Sequence, residues 1–78
     1  MIFLLEYDRR QGRLITFRTF NESSRGNAEK ARLDLELKRS RMEAPREIVL
    51  LEAATEDALR KTHRRYFQNP REIIEAST

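Results

Sequence analysis

The sequence of 78 residues has no cysteine, one histidine, two glycines and two prolines. Without cysteine, disulfides, thiolate metal sites and cysteine nucleophiles are excluded. A single histidine excludes a histidine-rich metal site within one chain. The two glycines, Gly12 and Gly26, are too far apart to form a glycine-rich phosphate-binding loop. We therefore expect no metal, no cofactor and no catalytic residue.

Long apolar runs are also missing. No run approaches the roughly 20 residues that a membrane-spanning helix needs, so we expect no membrane partner. The first residues, MIFLLEYD, lack the basic segment and small-residue cleavage site of a signal peptide. The expected location is the cytoplasm, which agrees with the missing cysteine. The length predicts a single small domain over residues 1–78 with a thin core.

Three short runs rich in apolar, β-branched or aromatic residues predict strands. They cover residues 2–7, 13–20 and 47–53. The first two are separated by a polar turn in which Gly12 can adopt a positive φ, so they predict a β-hairpin. Arg13 and Arg18 favour an edge position for the second strand.

Strong helix formers dominate the segment that follows. They predict a long helix that begins at Ser23 or Ser24 and runs to about Met42, before Pro45. Thr55 is a typical N-cap, and a second helix is predicted from there to about Gln68. Residues 69–76 carry the signature of a short terminal helix.

The order of these elements predicts an α+β fold, ββαβα(α). We expect a two-layer sandwich with a three-stranded mixed sheet in the order 2-1-3 and the helices on one face. An alternative places the third strand beside the second.

The predicted strands carry more apolar surface than such a sandwich can bury. Strands one and three are apolar on both faces, and two helices on one side cannot bury both. Leu33 and Leu37 lie opposite the helix stripe formed by Ala28 and Leu35. We therefore predict a homodimer, joined by a sheet face or by the edge of strand three. The candidate interface residues are Leu33, Leu37, Val49 and Leu51.

A basic helix face is the second candidate feature. It consists of Arg60, Lys61, Arg64 and Arg65, with Arg71 as an extension, and the hairpin loop adds Arg9 and Arg10. Such a cluster is typical of anion or nucleic-acid binding. The alternative is an ordinary solvated helix face, which is more common, and the net charge is only +3.

At two further sites the sequence favours a structural role over a functional one. His63 lies on the apolar flank of the second helix and is expected to be a packing residue, although a histidine there can also act as a base. Glu6 and Asp8 form a conceivable carboxylate pair, but strand-end and turn chemistry explains them.

The sequence contains no motif that assigns it to a family. The leading hypothesis is a non-enzymatic protein-interaction module, a homodimer that binds a protein partner the sequence does not identify. The alternative is an RNA- or DNA-binding protein that uses the basic face of the second helix.

Overall fold

The structure, a computed structural model, describes residues 1–41 and 46–68. The described elements are β1 (Ile2–Asp8), β2 (Arg13–Phe20), α1 (Arg25–Arg39), β3 (Arg46–Glu52) and α2 (Glu56–Thr62). Short 3-10 helices at Glu22–Ser24 and Arg64–Tyr66 precede α1 and follow α2. The predicted helix end at Met42, the boundary at Pro45 and the terminal helix over 69–76 lie outside the described residues.

The first two strands form the predicted hairpin. Gly12 closes it with a φ of 64°, and its N–H donates to the carbonyl of Asp8 at 2.8 Å. The Asp8 carboxylate accepts from the backbone N–H groups of Arg10 and Gln11 at 2.9 and 3.0 Å. The turn is therefore stabilised by one aspartate, which explains why a polar residue ends an otherwise apolar strand.

The sheet has the predicted order β2-β1-β3 within the described residues, and the fold is α+β. The prediction of a mixed sheet is wrong, because β1 pairs antiparallel with both neighbours. Leu5, for example, lies opposite Phe17 on one side and Val49 on the other. The hairpin and the crossover through α1 make β2 and β3 run in the same direction, but β1 separates them.

The prediction of two layers with the helices on one face is also wrong. Phe3 and Leu5 point to one face, where they cluster with Leu59 and Tyr66 from α2 and the following 3-10 helix. α1 packs over β1 and β3 on the opposite face, where its Arg39 reaches Glu6. Because β1 alternates buried side chains on both faces, each helix covers one of them.

The helix ends differ from the sequence prediction in two cases. Ser24 is the N-cap of α1, but its side chain makes no capping bond. Thr55 caps α2 as predicted, since its side-chain oxygen accepts from the N–H of Ala58 at 3.0 Å. α2 ends at Thr62, well before Gln68, because His63 leaves the helical region with φ −125° and ψ 51°. This break brings Tyr66 back onto the sheet as part of a 3-10 turn.

Candidate functional site

A buried carboxylate lies between the sheet and α1. Glu6 is completely buried (0% exposed), and its Oε2 accepts from Nε of Arg39 at 2.7 Å and from Nη1 of Arg46 at 2.8 Å. Its Oε1 accepts from the hydroxyl of Thr16 at 2.8 Å. Glu6 thus connects β1 to β2, to β3 and to α1.

This environment keeps both carboxylates of the conceivable catalytic pair ionised. Burial opposes ionisation of Glu6, but hydrogen bonds from Arg39 and Thr16 outweigh it, so the pKa of Glu6 is lowered. The pKa of Asp8 is lowered mainly by the hydrogen bond from the N–H of Gln11. Two ionised carboxylates with occupied oxygens suit structural linkage better than acid catalysis.

A second charged cluster lies on the other face of the sheet. Nη2 of Arg65 lies 2.7 and 3.0 Å from the two carboxylate oxygens of Glu47, and Arg9 approaches the same carboxylate at 3.5 Å. The Arg65 guanidinium also lies over the ring of Tyr66 and donates to its hydroxyl at 2.8 Å. Burial opposes ionisation of Glu47, but the hydrogen bonds from Arg65 outweigh this effect, so the pKa of Glu47 is lowered.

His63 packs beside this cluster. Its ring stacks on Tyr66 with centroids 6.4 Å apart, and its Nδ1 lies 2.9 Å from the hydroxyl of Thr62. The geometry agrees with a packing role, since the contacts are a ring face and one local hydroxyl.

The predicted basic face is not assembled as one helix surface. Arg60 and Lys61 pair along α2 with Glu56 and Asp57, at 3.0 and 3.3 Å. Arg64 and Arg65 belong to the 3-10 turn, because α2 has already ended. Of the six predicted cations that the structure describes, those with an acidic partner are Arg9, Arg60, Lys61 and Arg65. Within the described residues no carboxylate pairs with Arg10 or Arg64, and Arg71 lies outside them.

Other cations, which the sequence did not single out, line a groove between α1 and β2. The groove has a volume of about 260 Å³. Arg18, Lys30 and Lys38 line it together with Asp34, and within the described residues none of the three cations has a carboxylate within ion-pair distance. Lys30 and Lys38 lie two helical turns apart, which a sequence can show, but the approach of Arg18 depends on tertiary packing.

The four residues predicted to form a dimer interface do not share a surface. Leu33 and Leu37 are exposed on α1, at 50% and 63%. Val49 and Leu51 point to the opposite face of the sheet and pack against the cluster around Phe3.

The two edges of the sheet differ in character. Along β2 the register shifts opposite Glu6 and Tyr7, and the strand carries Arg13 and Arg18. An irregularity and charges are typical of an edge protected against pairing. β3 has a continuous register from Arg46 to Glu52 with the apolar run IVLL between them. Within the described residues no strand pairs with its outer edge.

The hydrogen-bond pattern shows which backbone groups of β3 face outward. The N-terminal nitrogen of Met1 donates to the carbonyl of Ala53 at 3.0 Å, and the N–H of Ala53 donates back at 3.2 Å. Antiparallel pairs alternate between bonded and non-bonded. Val49 therefore bonds to β1, whereas Ile48 and Leu50 direct their N–H and C=O groups to the open edge.

The described part of the chain offers no other obvious site. In residues 1–41 and 46–68 no group of three or more acidic or histidine side chains is placed to hold a metal ion. None of the helices described is long and apolar enough to cross a membrane. No family model, no curated protein and no solved structure matches the chain.

Proposed function

We propose that this protein is a non-enzymatic interaction module that binds a protein partner by accepting an added strand at the outer edge of β3. The observation that carries the proposal is the contrast between the two sheet edges. β2 has a register shift and carries Arg18 inside the strand, whereas β3 keeps a continuous register and its charged residues lie only at its ends, on either side of the apolar run IVLL. Strand addition at such an edge is a recurrent mode of protein recognition.

The polar clusters support a binding role over catalysis. Glu6 and Glu47 are both held ionised by arginine partners, and each carboxylate links elements of the fold. Neither leaves a free acid, base or nucleophile beside an open pocket.

Nucleic-acid binding, the alternative, has less support at its predicted site. Counterion release requires cations that are free to pair with phosphates. Arg60, Lys61 and Arg65 already have carboxylate partners, and this reduces the positive charge available on that surface.

A strand-addition test uses the outward N–H of Leu50, which has no backbone partner among residues 1–41 and 46–68. Leu50→Pro removes that donor, and proline is tolerated on edge strands where its nitrogen faces solvent. Leu50→Ala is the matched control, since it removes the same side chain and keeps the N–H. The probe is a capped peptide with the sequence of residues 46–52, titrated into the isotope-labelled full chain.

We expect the amide signals of Ile48, Leu50 and Glu52 to shift on addition of the peptide, with little change in β2. Leu50→Ala should retain binding and Leu50→Pro should lose at least about tenfold in affinity. Shifts located on β2 or α1, or an equal effect of the two substitutions, would contradict the proposal.

A further inference from the structure

We infer that the strand added to β3 is β3 of a second copy of this chain, which gives a twofold dimer with one continuous six-stranded antiparallel sheet. The inference rests on the proposed function and names its partner. It is carried by two self-complementary patterns, one in the strand and one in α1, that share a single symmetry axis.

The first pattern is the alternation along β3 between residues that hydrogen-bond to β1 and residues whose N–H and C=O groups face outward. In an antiparallel pair centred on Val49, the residue opposite Ile48 is the partner's Leu50. Both direct their N–H and C=O groups outward, so they form a hydrogen-bonded pair. The same register places Arg46 opposite the partner's Glu52 and uses the full strand, with about eight backbone hydrogen bonds across the axis.

The second pattern is a charge ladder on α1, formed by Arg25, Glu29, Arg32 and Glu36. Their spacings of four, three and four residues place them on one side of the helix. That side faces the β3 edge, because Arg25 pairs with Glu52. The opposite side of α1 faces β2, where Lys30 and Lys38 line the groove with Arg18.

The twofold axis brings this ladder against its own copy. α1 packs over β1 and β3, so two copies related through the β3 edge lie antiparallel and roughly 10 Å apart, a normal helix-packing distance. In that arrangement the charges alternate so that each meets its opposite. Arg25 faces the partner's Glu36, and Glu29 faces the partner's Arg32.

The inner two members of the ladder have the weakest pairing within the described residues. Within the described residues Glu29 has no ion pair, and the buried Nε of Arg32 has no hydrogen-bond partner. The nearest carboxylate oxygen to that nitrogen, on Glu36, lies 4.0 Å away. The partner's Glu29 would pair across the axis with Arg32, whose side chain is 43% exposed.

The two patterns also have the same centre. Arg25 contacts Glu52 at one end of β3, and Arg39 and Arg46 meet at Glu6 near the other end. From the rise per residue, the helix from Arg25 to Arg39 and the strand from Arg46 to Glu52 are each about 20 Å long. Val49, at the middle of β3, therefore lies level with the middle of α1. The centre of the charge ladder falls within about 3 Å of that level.

The test is the mass of the full chain in solution, measured by sedimentation or light scattering from micromolar to millimolar concentration. We expect twice the chain mass of 9.3 kDa. Leu50→Pro should give a monomer and Leu50→Ala a dimer. Glu29→Lys should weaken the dimer about tenfold or more, since like charges then face each other. The double variant Glu29→Lys with Arg32→Glu should restore it. Asp34→Lys, the same charge reversal on the β2 side of α1, is the control.

The outcomes separate the inference from the proposed function. A chain that stays monomeric up to millimolar concentration overturns the dimer, and if it still binds the peptide at β3, strand addition is left intact. A monomeric chain that does not bind the peptide overturns both. A dimer that persists in Leu50→Pro, with folding verified by circular dichroism, or that responds equally to Glu29→Lys and Asp34→Lys, uses another surface and overturns the inference.

Discussion

Arg46 and Glu6 join the edge strand β3 to the central strand β1 through a 2.8 Å contact between Nη1 and Oε2. Glu6 is completely buried, and Arg39 from α1 binds the same oxygen. The edge proposed to bind a partner is therefore attached to the core by a charged contact as well as by the sheet.

The first prediction concerns the removal of this charge. Glu6→Gln keeps the shape of the side chain but removes the carboxylate that Arg39 and Arg46 share, while Arg46 keeps its 3.7 Å contact with Asp8. We expect a loss of about 2–3 kcal/mol in the free energy of unfolding at neutral pH, somewhat less than for a fully buried pair because Arg39 is partly solvated. Urea unfolding measures this loss, and Asp34→Asn, at an exposed position without an ion pair in the described residues, is the control.

The pH dependence of Glu6 follows from its lowered pKa. A carboxyl whose pKa is lower in the folded state stabilises the fold above its unfolded pKa, near the ordinary value of 4.5. That contribution is lost as pH falls through the lowered value. The difference between wild type and Glu6→Gln should therefore shrink in this acid range, and a difference that is independent of pH would contradict the assignment.

The second prediction compares two helix caps. Thr55 accepts a hydrogen bond from Ala58, whereas the side chain of Ser24, the N-cap of α1, makes no capping bond. Thr55→Ala should cost about 1 kcal/mol of stability, and Ser24→Ala should cost no more than a few tenths. Equal losses in thermal unfolding would show that the capping bond of Thr55 does not stabilise α2.

The third prediction concerns the aromatic anchor of the last described turn. Tyr66 packs edge-on against Tyr7 with centroids 5.3 Å apart and accepts a hydrogen bond from Arg65. Tyr66→Phe should cost about 1 kcal/mol, because only the hydrogen bond is lost. Tyr66→Ala should cost about 3–5 kcal/mol, because it also opens a cavity under the 3-10 helix. Chemical denaturation of the two variants separates these contributions.

The fourth prediction addresses nucleic acid. Fluorescence anisotropy with generic RNA and duplex DNA should show weak binding at low salt that does not depend on Arg60, Arg64 and Arg65. Four free phosphate contacts would instead reduce affinity roughly a hundredfold between about 50 and 200 mM salt. Binding with that slope, abolished by changing these three arginines to glutamate, would favour the alternative function.

Local sequence patterns predicted the elements well and their arrangement less well. The hairpin closed by Gly12, the edge position of β2 and the cap at Thr55 depend on residues close in sequence, and all were confirmed. The extension of α2 to Gln68 was wrong, because the aromatic residues after His63 pack better on the sheet from a 3-10 turn than from a continued helix.

The candidate sites were harder to predict because they depend on which charges meet across the fold. The basic residues of α2 and of the 3-10 turn after it were visible in the sequence, but the pairing of Arg65 with Glu47 joins residues 18 positions apart. The sequence also could not predict which residues of β3 bond to β1 and which face outward, since this depends on how Met1 and Ala53 pair.

The sequence by itself determined the order of strands and helices, the lack of disulfide chemistry and the apolar character of both faces of β1. These follow from composition and from periodicity over a few residues. Only the tertiary structure decided that the helices take opposite faces, that the predicted basic face is largely neutralised and that no other described strand pairs with the outer edge of β3. Those outcomes depend on burial and ion pairing between distant segments. Alternative arrangements of these segments differ in only a few contacts, so their free energies are close.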